Sequence, residues 1–270
     1  PGVSQPLFGI DFANPDSGWA VGMGATVVRS TNGGTNWNQQ SVPIDSLTWL
    51  NVVGTLPGVI YPESVVVVCG HHDCTSEDPY YDAPGADDNA SGTSLFMEAA
   101  SVLSRYRFER TIKVIGFSGE EQGLLGSYAY AQEVGVNLNL VGVLNFDMIG
   151  YLDDSKWDLN IRYNTFSQSL ADVLYQAATQ YTQLDAVTVY DTTPNSDHAS
   201  FWQIGAAAIC GIERDETQWN PYYHSTADRI ETLTLPFCSE VVKLGVAGAA
   251  TIAVPYVVGV EETQEARSQK

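Results

Sequence analysis

Basic residues are scarce in this chain of 270 residues, which has 12 Lys and Arg against 32 Asp and Glu. Its formal net charge is −20. A surface that binds nucleic acid needs Lys and Arg for the phosphates, and an anionic membrane attracts the same side chains. The shortage therefore argues against nucleic acid and against a membrane surface as partners. The acidic surplus is typical of a solvated surface and is compatible with an extracellular protein.

Cysteine is also rare, with four residues in the whole chain: Cys69, Cys74, Cys210 and Cys238. No two of them have the Cys-x-x-Cys spacing of a structural zinc site. Four cysteines allow three disulfide pairings. Cys69 and Cys210 lie in apolar runs, however, where a free buried thiol is equally common. The even count permits an oxidising compartment without requiring one.

Long apolar runs are almost absent, and only residues 241–260 approach the length of a membrane span. Lys243 and Pro255 interrupt this run, which is rich in Gly and Ala. We therefore predict a buried terminal helix and no membrane partner. No signal peptide is visible, and because the chain opens on Pro1 we expect the numbering to describe a processed or excised product.

The N-terminal part differs from the rest, since residues 1–45 have the pattern of short β segments joined by turns. The run 30–37, Ser-Thr-Asn-Gly-Gly-Thr-Asn-Trp, resembles the Asp-box turn of β-propeller repeats, with Asn32 where Asp is usual. One copy cannot close a propeller, so we interpret this part as the last fragment of an upstream propeller or as a β appendage. Residues 257–270 have the composition of a C-terminal linker.

Strands and helices alternate through residues 46–256. The predicted strands cover residues 49–56, 64–70, 111–117, 138–146 and 206–212. The predicted helices cover residues 90–106, 124–133, 167–181 and 235–253. Such alternation favours a parallel sheet covered on both faces. The predicted fold class is α/β, a three-layer α/β/α sandwich with a mixed, mainly parallel central sheet and a short N-terminal β appendage.

Candidate metal ligands follow the predicted strands. His71 follows one strand, Glu120 and Glu121 another, and Asp147 a third. In open α/β sheets, sites form outside the carboxyl ends of the strands. Adjacent buried carboxylates cost desolvation and repulsion unless a cation lies nearby, and nitrogen and carboxylate oxygen are ligands of zinc. An acidic helix start is the alternative interpretation of the Glu pair.

Further candidate positions lie outside these strand ends. Asp88 lies in the Gly-rich run 84–92, where it is either a helix cap or a carboxylate shared by two cations. His224 and His198 compete as ligands, and a lone His is more often structural. In an extended chain, His71 and Asp73 point to the same side, so Asp73 is placed to hold the second ring nitrogen of His71.

The five contexts together resemble the co-catalytic di-zinc aminopeptidase family. They are Gly-His-His-Asp, Pro-Gly-Ala-Asp-Asp-Asn-Ala-Ser-Gly, Ser-Gly-Glu-Glu, Asn-Phe-Asp-Met and Tyr-Tyr-His-Ser, in this order. The family also contains glutaminyl cyclases and glutamate carboxypeptidases. The resemblance covers roughly residues 47–255, within a predicted di-zinc peptidase domain of residues 46–256. His198 does not align with a ligand, and the Asp-box run lies outside the family pattern.

The resemblance implies two Zn²⁺ ions per chain, held by His71, Asp88, Glu121, Asp147 and His224. Asp88 would bridge the ions, with His71 and Asp147 completing one ligand set and Glu121 and His224 the other. It further implies that Glu120 is the general base, that Asp73 supports His71, and that Tyr223 stabilises the oxyanion. It also implies a cis peptide bond at Asp88–Asn89.

The function that follows is hydrolysis of the N-terminal residue of a peptide, with peptides that have a free N-terminus as partners. The resemblance and the acidic composition lead us to expect a secreted, extracellular monomer. Alternatives are a glutaminyl cyclase with one zinc ion, a carboxypeptidase, or a non-catalytic binding domain. A carboxypeptidase needs a cation for the substrate carboxylate, and Arg214 is the only obvious basic residue near the His224 segment.

Overall fold

The computed structural model describes residues 7–12, 18–22, 26–32, 35–36, 38–40, 49–214 and 220–257. It divides into two compact units, Pro1–Thr48 and Trp49–Lys270. The predicted linker lies outside the described residues from position 258 onward.

The first unit contains a four-stranded antiparallel sheet in chain order. Its strands are β1 (Leu7–Phe12), β2 (Gly18–Gly22), β3 (Thr26–Ser30) and β4 (Asn38–Gln40). Between β3 and β4, Asn32 Oδ1 accepts hydrogen bonds from the Asn36 amide at 2.8 Å and from the Ser30 hydroxyl at 3.1 Å. Asn therefore closes this turn through its side-chain oxygen, as an Asp would. Residues 33, 34 and 37 of the Asp-box run lie outside the described part.

The second unit is built on a seven-stranded sheet. Its strands are β5 (Val52–Leu56), β6 (Tyr61–His71), β7 (Arg110–Phe117), β8 (Asn139–Phe146), β9 (Asp158–Tyr163), β10 (Asp185–Tyr190) and β11 (Ala208–Glu213). Their order is β10-β9-β11-β8-β6-β7-β5. Strands β11, β8, β6 and β7 are parallel, whereas β5 and β9 run antiparallel to β7 and β11. The prediction of a mixed, mainly parallel sheet is confirmed.

In the described part of this unit, five α-helices cover the two faces of the sheet. They are α1 (Gly92–Leu103), α2 (Leu125–Glu133), α3 (Gln168–Tyr181), α4 (His198–Gln203) and α5 (Leu235–Ala253). Successive side chains of β6 point to opposite faces, so Val66 and Val68 pack with α1, α3 and α5. Val65 and Val67 pack with α2 and α4 on the other face. The β-branched run of β6 is therefore buried on both sides, which confirms the three-layer arrangement.

Helix α5 contains most of the long apolar run. It is long and apolar enough to cross a membrane by length and composition, and ten of its 19 residues are buried in the protein. It packs against α1 and α3 at two glycines. A Cβ atom at Gly245 would lie 2.7 Å from Leu95, and one at Gly248 would lie 2.4 Å from Leu174. Burial in the core accounts for the composition of the run, as predicted.

The sequence pattern does not predict β9, β10 and α4. Strand β10 lies at an edge of the sheet and buries only Ala186, so its apolar signal is weak. Helix α4 has six residues, too few to show a helical period. The helix predicted over 90–106 begins only at Gly92, because a tight turn over Ala86–Ser91 precedes it, and it ends at Leu103.

Shortening single side chains of α1 should test which face of this helix packs in the core. Leu95 is fully buried, whereas Met97 on the same helix is 61% exposed. We expect Leu95→Ala to lower the free energy of unfolding by about 2–5 kcal/mol, because it leaves a cavity beside Gly245. Met97→Ala should change it by no more than about 0.5 kcal/mol. Urea unfolding followed by circular dichroism measures both, and equal losses would contradict this assignment of the core.

Candidate metal centre

The carboxyl ends of three neighbouring parallel strands present the first of the predicted site residues. His71 is the last residue of β6, and Asp147 follows β8 directly. Glu120 and Glu121 follow β7 after a short turn. The other two ligands come from longer connections: Asp88 from the turn before α1, and His224 from the segment after β11.

The first group of ligand atoms is buried. His71 Nε2 lies 3.2 Å from Asp88 Oδ1 and 3.3 Å from Asp147 Oδ1. All three residues are less than 7% exposed. Burial opposes a charge on the imidazole, but the Asp147 carboxylate and hydrogen bonds to both acids raise the pKa of His71 well above its ordinary value.

The second group uses the other oxygen of the same carboxylate. His224 Nε2 lies 3.1 Å from Asp88 Oδ2 and 2.9 Å from Glu121 Oε2. Hydrogen bonds to Asp88 and Glu121 raise the pKa of His224 to about 10. Each imidazole therefore keeps a proton between carboxylates, and a cation that binds to the nitrogen must displace it.

Both groups fit a divalent cation that accepts nitrogen and oxygen. Within each group, one ligand atom from every residue lies within 4.8 Å of the others. Glu121 Oε1 is buried, and among the described residues it has no hydrogen-bond partner. Within the described ranges, no Lys or Arg forms an ion pair with these carboxylates. A cluster of buried acids is costly without compensating positive charge, which zinc would supply in place of the protons that it displaces from the imidazoles.

Glu120 lies beside the candidate ligand Glu121 but belongs to neither group. Burial, together with the nearby Asp147 carboxylate, raises the pKa of Glu120 to about 9. A bound cation would reverse this effect, because an opposite charge favours the ionised carboxylate. The side chain would then be free to accept a proton.

Asp73 supports the centre differently from the expected arrangement. His71 Nδ1 lies 3.0 Å from the backbone carbonyl of Asp73 and 3.8 Å from its carboxylate. The carboxylate instead accepts the amides of Glu120 and Glu121, both at 3.2 Å. One residue therefore orients His71 through its main chain and fixes the Glu pair through its side chain.

The turn that presents Asp88 is tied to the end of β8 by residues that the sequence does not single out. The peptide bond Asp88–Asn89 is cis, as expected. Asn89 Nδ2 donates to the Phe146 carbonyl at 3.1 Å. The fully buried Asp87 accepts the Gly150 amide at 2.8 Å and the Asn220 side-chain amide at 2.7 Å. These contacts fix Asp88 relative to Asp147 and His224, and no local pattern predicts them.

Tyr223 lies at the exposed side of the centre. It is 39% exposed, and its ring stacks on His224 with 3.7 Å between the ring centroids. His224 adopts a left-handed backbone conformation with φ of 52°, which is uncommon for a residue with a side chain. Burial and the surrounding acids raise the pKa of Tyr223, so its hydroxyl group remains a hydrogen-bond donor.

The four cysteines are free thiols, and Cys69, Cys210 and Cys238 are buried. Cys69 and Cys210 lie on either side of Asn145, with sulfur atoms 3.6 and 3.7 Å from its side-chain amide group. The sequence leaves open whether Cys69 and Cys210 form disulfides or are free buried thiols, and in the structure they are free buried thiols.

His198 belongs to neither ligand group. It is fully buried, edge-on to Trp202 with 4.5 Å between ring centroids. Among the described residues, neither ring nitrogen has a hydrogen-bond partner. Burial lowers the pKa of His198 from 6.5 to about 3, so the folded protein keeps it neutral.

We expect His198→Phe to reduce the acid sensitivity of the metal-free protein. The unfolded chain binds a proton at His198 below pH 6.5, whereas the folded protein does so only near pH 3. Stability is therefore lost as the pH falls through this window, by at most about 1.4 kcal/mol per pH unit for this group. Urea unfolding between pH 6.5 and 4.5 should show a shallower decline for the variant. Identical declines would refute the explanation.

Comparisons with known proteins agree with this geometry. The sequence profile of peptidase family M28 matches residues 51–245. A probable leucine aminopeptidase of Arthroderma otae is 30% identical over 215 residues, which cover 75% of this chain and 57% of that protein. A probable zinc metalloprotease of Pyricularia oryzae is 46% identical over 104 residues, covering 37% of this chain and 21% of that protein.

Solved structures are similar as well. The LapA aminopeptidase of Legionella pneumophila superimposes with a TM-score of 0.64 and 28% identity, covering 75% of this chain and 54% of that chain. The present chain thus spans little more than half the length of this structure and of the Arthroderma relative, and about a fifth of the Pyricularia relative.

Proposed function

The chain belongs to peptidase family M28, and from this premise we propose that it is a zinc-dependent aminopeptidase that removes the N-terminal residue of peptides. The observation that carries this proposal is the Asp88 carboxylate, which faces His71 with one oxygen and His224 with the other. We further propose that the chain acts as an extracellular monomer, in keeping with its acidic composition.

Two zinc ions would be held by the two ligand groups. His71 and Asp147 would complete one set, Glu121 and His224 the other, and Asp88 would belong to both. When bound, the ions would polarise the scissile carbonyl and make a nearby water molecule more acidic. The imidazole nitrogen in each group supports zinc over a cation that prefers oxygen ligands alone.

The remaining chemistry falls to side chains of this chain. The Glu120 carboxylate would accept a proton from the attacking water and pass it to the nitrogen of the leaving amine as the C–N bond breaks. Asp73, through the Glu120 and Glu121 amides, would keep both carboxylates aimed at the reaction. The Tyr223 hydroxyl would donate to the developing oxyanion. The acidic surroundings would favour a substrate with a free, positively charged α-amine.

A carboxypeptidase is less well supported, because the basic residue considered for it is engaged elsewhere. Arg214 Nη2 lies 3.0 Å from the buried carboxylate of Asp158 and 3.4 Å from Asp185, near strands β9 and β10. A glutaminyl cyclase would need only one zinc ion, so metal content separates it from the proposed peptidase. A non-catalytic domain would have no use for an unbound Glu120 beside a complete ligand set.

Replacing the proposed base should stop turnover without removing the metal. Glu120→Gln keeps the size of the side chain but cannot accept a proton, so we expect kcat on an aminoacyl chromogenic amide to fall by about 10²–10⁴-fold. Zinc content should stay at the wild-type level. Glu98→Gln, an exposed change on α1, is the matched control and should keep full activity. Near-normal turnover of Glu120→Gln would refute the assigned role.

Metal content should follow the two ligand groups. We expect two zinc ions per chain by elemental mass spectrometry, and loss of activity on chelation that returns with added zinc. Asp147→Ala removes a ligand of only one group and should retain one ion, whereas Asp88→Ala should retain neither with high affinity. A single zinc ion in the active wild-type protein would favour the cyclase alternative.

A further inference from the structure

We propose that Asp228 is a positioning residue for the metal centre, which fixes the turn that presents Asp88 and joins it to the segment that presents His224. The inference rests on the proposed function only in that Asp88 and His224 hold metal ions. Asp228 is not among the site residues predicted from the sequence, and its carboxylate contacts Asp88 through the Asp88 backbone amide.

Three successive amide groups of the turn point at Asp228. The Asp87 amide donates to its Oδ1 at 2.9 Å and the Asp88 amide to its Oδ2 at 3.1 Å. The Ala86 amide donates to the backbone carbonyl of Asp228 at 3.1 Å. Asp228 is 2% exposed. Consecutive amides that converge on one carboxylate form an anion-binding concavity, and hydrogen bonds to a charged acceptor are stronger than neutral ones.

This contact determines where the Asp88 side chain can lie. Asp88 must direct its two oxygens to His71 and His224, which lie 3.2 and 3.1 Å away. Rotation of the Asp88 backbone would move one of these oxygens away from its partner imidazole. Because Asp228 accepts a hydrogen bond from the Asp88 amide, the Asp88 backbone is ordered when the protein folds. Metal binding then need not supply the free energy for this ordering.

Asp228 also couples Asp88 to His224, because Asp228 and His224 belong to the same segment, residues 220–229. Two exposed contacts hold this segment to the connection that follows β6. Glu77 accepts the amide and hydroxyl of Thr226 at 2.8 Å each, and Asp82 pairs with Arg229 at 2.6 Å. These contacts anchor the segment from outside, whereas Asp228 reaches the Asp88 turn itself.

The test compares Asp228→Asn with Asp82→Asn, the same chemical change at the partner of the adjacent residue Arg229. Zinc affinity is measured by titrating the metal-free protein against a chelator of known affinity. We expect Asp228→Asn to lose about 10–100-fold in zinc affinity, as is typical when a partner of a metal ligand is removed. Asp82→Asn should stay within about twofold of the wild type, since exposed ion pairs contribute little. Wild-type affinity in Asp228→Asn, or an equal loss in Asp82→Asn, would overturn the proposal.

A second measurement needs no variant and so holds even if Asp228→Asn fails to fold. In the metal-free wild-type protein, hydrogen exchange should be slow at the Asp87 and Asp88 amides, because Asp228 holds them before any ion binds. Exchange at the rate of an unstructured loop would contradict the inference. Zinc binding is measured without turnover, so a wild-type protein that binds zinc but cleaves no peptide would contradict the proposed function alone.

Discussion

The shared carboxylate of Asp88 is the interaction on which the rest of the site depends. Its two oxygens face His71 at the end of β6 and His224 beyond β11, so one side chain joins two ligand groups from distant parts of the chain. Each group adds another acid, Asp147 or Glu121. Such a concentration of buried carboxylates is stable only with compensating positive charge, which protonated imidazoles supply when no metal is bound. An acid-rich chain thus makes a centre that is receptive to cations.

The fold provides the rigidity that this arrangement requires. The central strands β8, β6 and β7 are parallel and hydrogen-bonded to one another, so their carboxyl ends lie at fixed separations. The Asp88 turn is not part of the sheet, and side chains attach it from several directions. Asn89 donates a hydrogen bond to the end of β8. Asp87 accepts hydrogen bonds from Gly150, in the connection after β8, and from Asn220, in the connection after β11. Hydrogen bonds from polar side chains therefore fix this turn relative to the sheet.

Much of this could be predicted from the sequence, because the main signals are local. The run Val65–Val68 indicates a strand buried on both faces, and acids or histidines directly after such strands indicate a site. Contacts such as that of Asp87 with Asn220 join residues far apart in the chain, and no periodicity marks them. Alternation along the strand predicts that Asp73 points to the same side as His71, yet the Asp73 carbonyl lies closer to His71 than its carboxylate does. Alternation predicts the direction of a side chain but not which of its oxygens makes the contact.

The position of α5 has a consequence for the order in which the protein can assemble. Strand β6 and helix α1 are made early, but the apolar face between them is covered by residues 235–253. During synthesis at about 5–20 residues per second, that face remains uncovered for roughly ten seconds or more before α5 has been made. Until α5 leaves the ribosome, the nascent unit therefore exposes this apolar face. Chaperones that bind apolar segments would act on this unit in that interval.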